Sequence, residues 1–229
     1  MPSTPTIIFD LDGTLVDSVR DLIPALNRTI EPEGLQPVPD HDVSKVVGQG
    51  AVKMIERAYM LNQAALGEEK RNELLARFLE TYEDRIAENT IFFDGCLEAL
   101  DILGSKGWEF AVCTNKFEHL ARKLLGELGS IDRFATITGG DTFDVKKPHP
   151  DHILKTLALT NGDLESAIMV GDSINDIAAA LAANVPSIAV DFGYTEQPVT
   201  EMGADMVISH FNEFIEAVEH LRPNAVDRR

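Results

Sequence analysis

Asp10 and Asp12 stand two residues apart, directly after the apolar run Ile7-Ile8-Phe9 and directly before Gly13. Such a run reads as a buried strand, along which side chains alternate with period two, so both carboxylates share a face if the strand continues that far. Gly13 permits a sharp turn at once. The pair is therefore expected at the C-terminal end of a strand, where open α/β sheets hold their ligands. Two ionised carboxylates repel by roughly 4 kcal/mol at ~4 Å for an effective dielectric of about 20. A divalent cation, a proton on one of them, or both would offset that.

Three further segments carry side chains of matching chemistry. Thr114-Asn115-Lys116 follows the apolar run Phe110 to Cys113 and offers a hydroxyl and a backbone amide to an oxyanion. Lys146-Lys147-Pro148-His149-Pro150 is a stiff cationic stretch before a helix, in a chain with few cationic clusters. A lysine in such a place can neutralise a transferred phosphoryl group as a point charge. Asp172 and Asp176 follow the apolar run Ala167 to Val170, and their i, i+4 spacing would put both on one helical face. Taken singly, these segments also suit a helix cap, a solvated surface and an acidic helix N-terminus. Their succession in this order, each at or beside a strand end, is what points to one site.

Elements to position these groups are legible around them. Strands are expected near 109–113, 135–138, 167–170, 187–190 and 206–208, and helices over 96–106, 117–128, 150–160, 174–183 and 211–221. This alternation implies a parallel sheet with helices on both faces. Between residues 18 and 88 only helical periodicity is found: a helix from Ser18, with Asp21 completing a capping-box-like pair, a short one over 40–47, a third through 52–61 and a fourth over about 68–87. Pro24 falls in the early turns of the first, where it costs less. The organisation expected is an α/β core of residues 1–17 and 89–229 with an all-helical insert of residues 18–88.

The 229 residues carry a formal net charge of −18. So acidic a chain argues against nucleic acid and anionic membrane as partners, and it requires local positive charge wherever an anionic substrate binds. Two cysteines, Cys96 and Cys113, make no disulfide framework. The first residues lack the basic and apolar regions of a signal peptide, and the apolar stretch 177–190 is too short to span a bilayer, so a cytoplasmic protein is expected.

Phe9-Asp10-Leu11-Asp12-Gly13-Thr14-Leu15-Val16-Asp17-Ser18 resembles the first motif of the haloacid dehalogenase-like hydrolases, and the segments at Thr114, Lys147 and Asp172–Asp176 resemble the other three, in order. The likeness implies a Rossmann-like core, and the helical insert resembles that superfamily's C1-type cap. Val47 to Ala51, Ile55 to Ala58, Val112 to Lys116, Gly139 to Asp141 and Val170 to Ile177 are similar to the phosphoglycolate phosphatase subgroup. The resemblance implies a Mg²⁺-dependent phosphatase of a small phosphorylated metabolite, 2-phosphoglycolate foremost. Another substrate (a sugar phosphate, a nucleotide or pyrophosphate), a phosphomutase, or a non-catalytic binding protein on the same fold are the alternatives. It further implies Asp10 as nucleophile and metal ligand. Asp12 becomes the acid/base, with its backbone carbonyl on the metal. Thr114, Asn115 and Lys147 become phosphoryl contacts, Asp172 a metal ligand, and Asp176 a second-rank one. Gln49 falls where the substrate loop of that family lies and would hydrogen-bond a small carboxylate. Arg20, Lys116 and Arg57 are candidates for a second substrate charge, although solvated surface is the commoner role for each. Phe92-Phe93-Asp94 departs from the aromatic-Pro pattern of relatives at the return from the cap. A monomer or homodimer is expected.

Overall fold

The computed structural model describes residues 4–48, 50–195 and 197–223. In chain order the elements are β1 (Thr6–Phe9), β2 (Val16–Asp17), α1 (Val19–Ile30), α2 (Val43–Val46), α3 (Ala51–Leu61), α4 (Glu68–Glu83), β3 (Ile91–Phe92), α5 (Cys96–Ser105), β4 (Glu109–Cys113), α6 (Glu118–Glu127), β5 (Thr136–Thr138), α7 (Pro150–Ala158), β6 (Ala167–Gly171), α8 (Ile174–Ala183), β7 (Ser187–Val190), β8 (Met206–Ile208) and α9 (Phe214–Leu221). Six strands form one parallel sheet in the order β5-β4-β1-β6-β7-β8. The sheet runs outward from β1 in both directions, so the connection reverses at β1, and such a switch point leaves a crevice at the strands' C-terminal ends.

Alternation along the strands sorts the core. Ile7, Phe9, Phe110, Val112, Ile168 and Val170 face one layer with Leu100, Leu124, Phe214 and Val218 of α5, α6 and α9. Ile8, Ala111, Cys113 and Met169 face the other, against Ile153 and Leu157 of α7 and Ala179, Ala180 and Ala183 of α8. Both faces of β1 are covered, which is why it reads as a continuous apolar run.

Several local expectations are corrected. The strand ends at Phe9, so the i, i+2 rule does not carry Asp10 and Asp12 to a common face. The helix expected to 87 ends at Glu83, and the one expected over 40–47 is a 3-10 turn, Asp40–Asp42, followed by the single turn α2. Pro24 lies well inside α1 rather than at its start, on an exposed position. Two strands were not expected: β2 and β3 pair antiparallel where the chain leaves and re-enters the core, too short at two residues each to show a period.

The capping box at Ser18 does not form. Asp21 instead accepts from the Asn89 and Thr90 amides at 2.9 and 2.7 Å and from the Thr90 hydroxyl at 2.7 Å. Burial opposes its charge, but the hydrogen bonds from Thr90 and Asn89 outweigh it and hold its carboxyl below the usual range. This clamp ties the start of α1 to the return strand. No helix among the described residues is long and apolar enough to cross a membrane.

Candidate active site

Asp10 follows β1, Thr114 follows β4 and Asp172 follows β6, three adjacent strands, so parallel pairing alone brings them to one edge. Lys147 arrives from the β5–α7 connection. It is 2 % exposed, and its ammonium lies 3.0 Å from Asp10 Oδ1 and 2.6 Å from Asp176 Oδ1. These are ion-pair distances without hydrogen-bond alignment, and both of those carboxylate oxygens are buried with no hydrogen-bond donor among the described residues. Asp172 Oδ2 accepts from the Tyr194 amide at 2.7 Å, and its Oδ1 from the Thr14 hydroxyl at 3.1 Å. Asp176 Oδ2 accepts from the amide and hydroxyl of Ser173 at 3.0 and 2.6 Å. The i, i+4 expectation needs correction: α8 starts at Ile174, so Asp172 lies in the preceding turn, not on its face.

Asp10, Asp172 and Asp176 each bring a carboxylate oxygen to within 4.8 Å of the others. Burial and then the neighbouring Asp176 raise the Asp10 carboxyl to about 6, against the pull of Lys147. Burial, Asp176 and Asp10 push Asp172 well above its ordinary value. Burial works against the Lys147 ammonium, but Asp10 and Asp176 outweigh it and hold it above the usual lysine range. Three clustered buried carboxylates, two of which meet the one lysine, leave negative charge that lysine alone does not neutralise. An oxygen-only donor set of this kind suits a hard divalent cation such as Mg²⁺. Close glycines leave room for it to assemble: a Cβ on Gly13, at φ +88°, would lie 2.3 Å from Asp172 Oδ2, and one on Gly193 2.3 Å from Asp172 Cβ.

Asp12 points elsewhere. Its Oδ1 accepts from the Ser18 hydroxyl at 2.6 Å, and both oxygens sit 3.0 Å from the Lys116 ammonium. The repulsion expected between Asp10 and Asp12 is thus relieved by two different lysines. Lys116 also donates to the Tyr82 hydroxyl at 2.8 Å. Thr114 is buried, and its amide donates to Thr138 O at 3.0 Å, so only the hydroxyl, which accepts from the Lys116 amide at 3.2 Å, faces the site. Asn115 Nδ2 donates to Lys147 O at 2.9 Å.

A cleft opens over Asp10 and Asp12, walled by these two with Thr114, Asn115 and Lys116 below and by Val47, Met54, Phe78, Leu79 and Tyr82 of the helical segment above. Of the cations considered from sequence, only Lys116 lines it. Arg20 is exposed and pairs with Asp17 at 2.6 Å, and Arg57 turns toward the Val47 carbonyl at 3.5 Å. Gln49 lies outside the described residues.

Sequence reasoning missed four supports. Tyr194 bridges Asp172 to the β2–α1 junction, since its hydroxyl donates to Asp17 Oδ1 at 2.7 Å and accepts from the Val19 amide at 3.1 Å. Thr14 and Ser18 steady the two acids, and His152 Nδ1 accepts from the Lys147 amide at 3.2 Å. Burial and the nearby Lys147 push His152 down to about 4, which keeps it a neutral acceptor. Only Thr14 and Ser18, beside the acids in the first motif, could have been suspected.

Residues 7–190 match the profile of the haloacid dehalogenase-like hydrolases. A phosphoglycolate phosphatase from Agrobacterium fabrum is 49 % identical over 92 % of this chain and 90 % of its own length. Another from Mesorhizobium japonicum is 41 % identical over 96 % and 97 %. A crystal structure described as a predicted phosphoglycolate phosphatase from Haemophilus somnus superimposes with a TM-score of 0.87 at 26 % identity, covering 93 % of this chain and 97 % of that one.

Proposed function

The chain belongs to the haloacid dehalogenase-like hydrolases, and from that premise we propose that it hydrolyses 2-phosphoglycolate through a covalent phosphoaspartate. The observation that carries the reading is the buried Asp10–Lys147–Asp172–Asp176 cluster, whose Asp10 reaches the floor of the cavity, in a chain 41 to 49 % identical to proteins of that name.

Asp10 is the nucleophile. Its carboxylate oxygen attacks phosphorus, and the bond from phosphorus to the ester oxygen breaks. Asp12 gives its proton to that leaving oxygen, and glycolate departs. Asp12 then takes a proton from water as the water attacks the phosphoaspartate, which releases phosphate and restores Asp10. Lys147 and the Thr114 hydroxyl hold the phosphoryl oxygens while charge shifts among them, and Asn115 and His152 fix the Lys147 backbone from either side. Mg²⁺ would be held by Asp10 and Asp172 with the Asp12 carbonyl, and by Asp176 in second rank, and when bound it supplies positive charge beside the transferred group. Residues 18–88 serve as the cap that excludes water during the first step, hinged at β2 and β3. The protein works as a soluble enzyme on a small phosphorylated metabolite.

Phosphate release from a panel of small monoesters, with Mg²⁺ and with chelator, tests this. A preference for 2-phosphoglycolate that chelation abolishes is expected. Equal turnover of all esters contradicts the substrate, and turnover that survives chelation contradicts the cation.

A further inference from the structure

Lys116 has no task in the chemistry above beyond contact with Asp12, yet it is only 8 % exposed. Burying an ammonium carries a large desolvation cost, which its pairing with Asp12 offsets only in part. Its nitrogen lies 3.0 Å from both Asp12 oxygens, 2.8 Å from the Tyr82 hydroxyl and 4.5 Å from the centre of the Tyr82 ring. The Tyr82 oxygen accepts that bond, so its own proton remains to be donated, and no acceptor for it stands among the described residues. Tyr82 is itself rigid: it is 1 % exposed and stacks on Phe78 at 5.8 Å. Around the pair the cavity wall is apolar, with Leu22, Met54, Phe78 and Leu79. The three N–H groups of Lys116 go to the two Asp12 oxygens and the Tyr82 hydroxyl. A carboxylate therefore gains the cation once Asp12 carries the proton it gives to the leaving oxygen, and that cation with the phenolic donor, in an apolar wall, binds it out of competition with water.

We infer that Lys116 and Tyr82 form the subsite that reads a carboxylate carried by the substrate next to its phosphate ester. This rests on the hydrolase reading above and deepens it. Asp12 follows the nucleophile by two residues, and Lys116 follows Thr114 by two. Lys116, the core half of the tail subsite, therefore leaves the same strand end as Thr114 of the phosphoryl site, which suits a short substrate. Lys116 is the one cation lining the cavity among the described residues, in a chain of net charge −18 that repels anions at a distance. The subsite also joins core to helical segment, since Lys116 precedes α6 and Tyr82 belongs to α4. A bound carboxylate would thus hold the two together.

The test compares kcat/KM for 2-phosphoglycolate with that for ethyl phosphate, which has a methyl group in place of the carboxylate, in the wild type, Lys116→Met, Lys116→Arg and Tyr82→Phe, with Mg²⁺ throughout. The wild type should prefer the carboxylated ester. Lys116→Met should cut that preference by about 10- to 100-fold, chiefly through KM, as expected for a lost charge-assisted bond. Lys116→Arg should retain most of it, and Tyr82→Phe, which keeps the stacked ring, should cut it about 3- to 10-fold. Turnover of both esters falling by the same factor in Lys116→Met, with Tyr82→Phe silent, would mean that Lys116 serves Asp12 alone and overturns the inference. A wild type without preference would instead contradict the 2-phosphoglycolate reading itself, and this inference with it. Should Lys116→Met not fold, Tyr82→Phe decides between the same outcomes.

Discussion

Two buried lysines meet carboxylates on the floor of one cavity, and their surroundings differ. Lys147 faces Asp10 and Asp176 with Asp172 alongside, so negative charge is in excess. Lys116 faces Asp12 alone, with the Tyr82 hydroxyl beside it, so charge is balanced. The first arrangement calls for a cation and a phosphoryl group, and the second can turn its donors toward an anionic tail. On the proposed reading a short anionic ester is held at both ends beside the same sheet edge, and the two acids Asp10 and Asp12 each meet a separate lysine.

The sharpest way to break the contrast is at the first cluster. Asp10→Asn should abolish turnover, by more than about 10³-fold, while circular dichroism and melting show the fold intact. Near-normal activity would remove the nucleophile from the account. Asp12→Asn should slow turnover about 10²- to 10⁴-fold. Its rapid-quench time course should show the acid/base steps stalled, with binding of the phosphoryl end retained.

What was legible follows the same division. Asp10, Thr114 and Asp172 follow strands buried on both faces, and such strands show as unbroken apolar runs whose ends can be read. Lys147, in the β5–α7 connection, was legible instead as part of a cationic, proline-stiffened stretch before a helix, so all four could be placed in one site before any contact was known. The second cluster depends on what happens beyond the strand ends. Asp12 diverges from Asp10 because the extended backbone stops with the apolar run at Phe9, and the run does not tell how the chain turns beyond it. Lys116 reads as an ordinary surface lysine, and Tyr82 as one more core aromatic at helical spacing, because nothing local reveals that a hydroxyl on α4 will meet a lysine ahead of α6. The paired strands β2 and β3, two residues each, are set by tertiary contact alone, as is the Asp21 clamp beside them.

Cation dependence sharpens the comparison next. The Asp10 carboxyl is raised to about 6 in the folded protein, from an ordinary value near 4. A raised carboxyl contributes stability that is full below its unfolded value and is lost as pH rises through the folded one. Without a divalent cation the cluster should therefore weaken the fold progressively from about pH 4 to above pH 6. Mg²⁺, competing with those protons, should raise the melting temperature by several degrees at pH 7.5 and by less at pH 5. Scanning calorimetry with and without chelator measures this, and a larger gain at pH 5 would contradict the assignment.

The smallest effect lies outside both clusters. Asp21→Asn replaces an acceptor with a donor facing the Thr90 amide and hydroxyl, so chemical denaturation should show a loss of about 1–3 kcal/mol. The loss should shrink below the carboxyl's ordinary titration range, because the depressed Asp21 carboxyl contributes stability above its unfolded value that is lost as pH falls through the folded one.

The most direct test of the central claim is to trap the intermediate. Enzyme with Mg²⁺ and ³²P-labelled 2-phosphoglycolate is quenched in acid within the first turnover, digested, and the labelled peptide identified. The account predicts acid-stable, base-labile phosphate on the peptide carrying Asp10, absent with chelator and absent in Asp10→Asn. Steady turnover with label on another residue, or with label that survives Asp10→Asn, would contradict it.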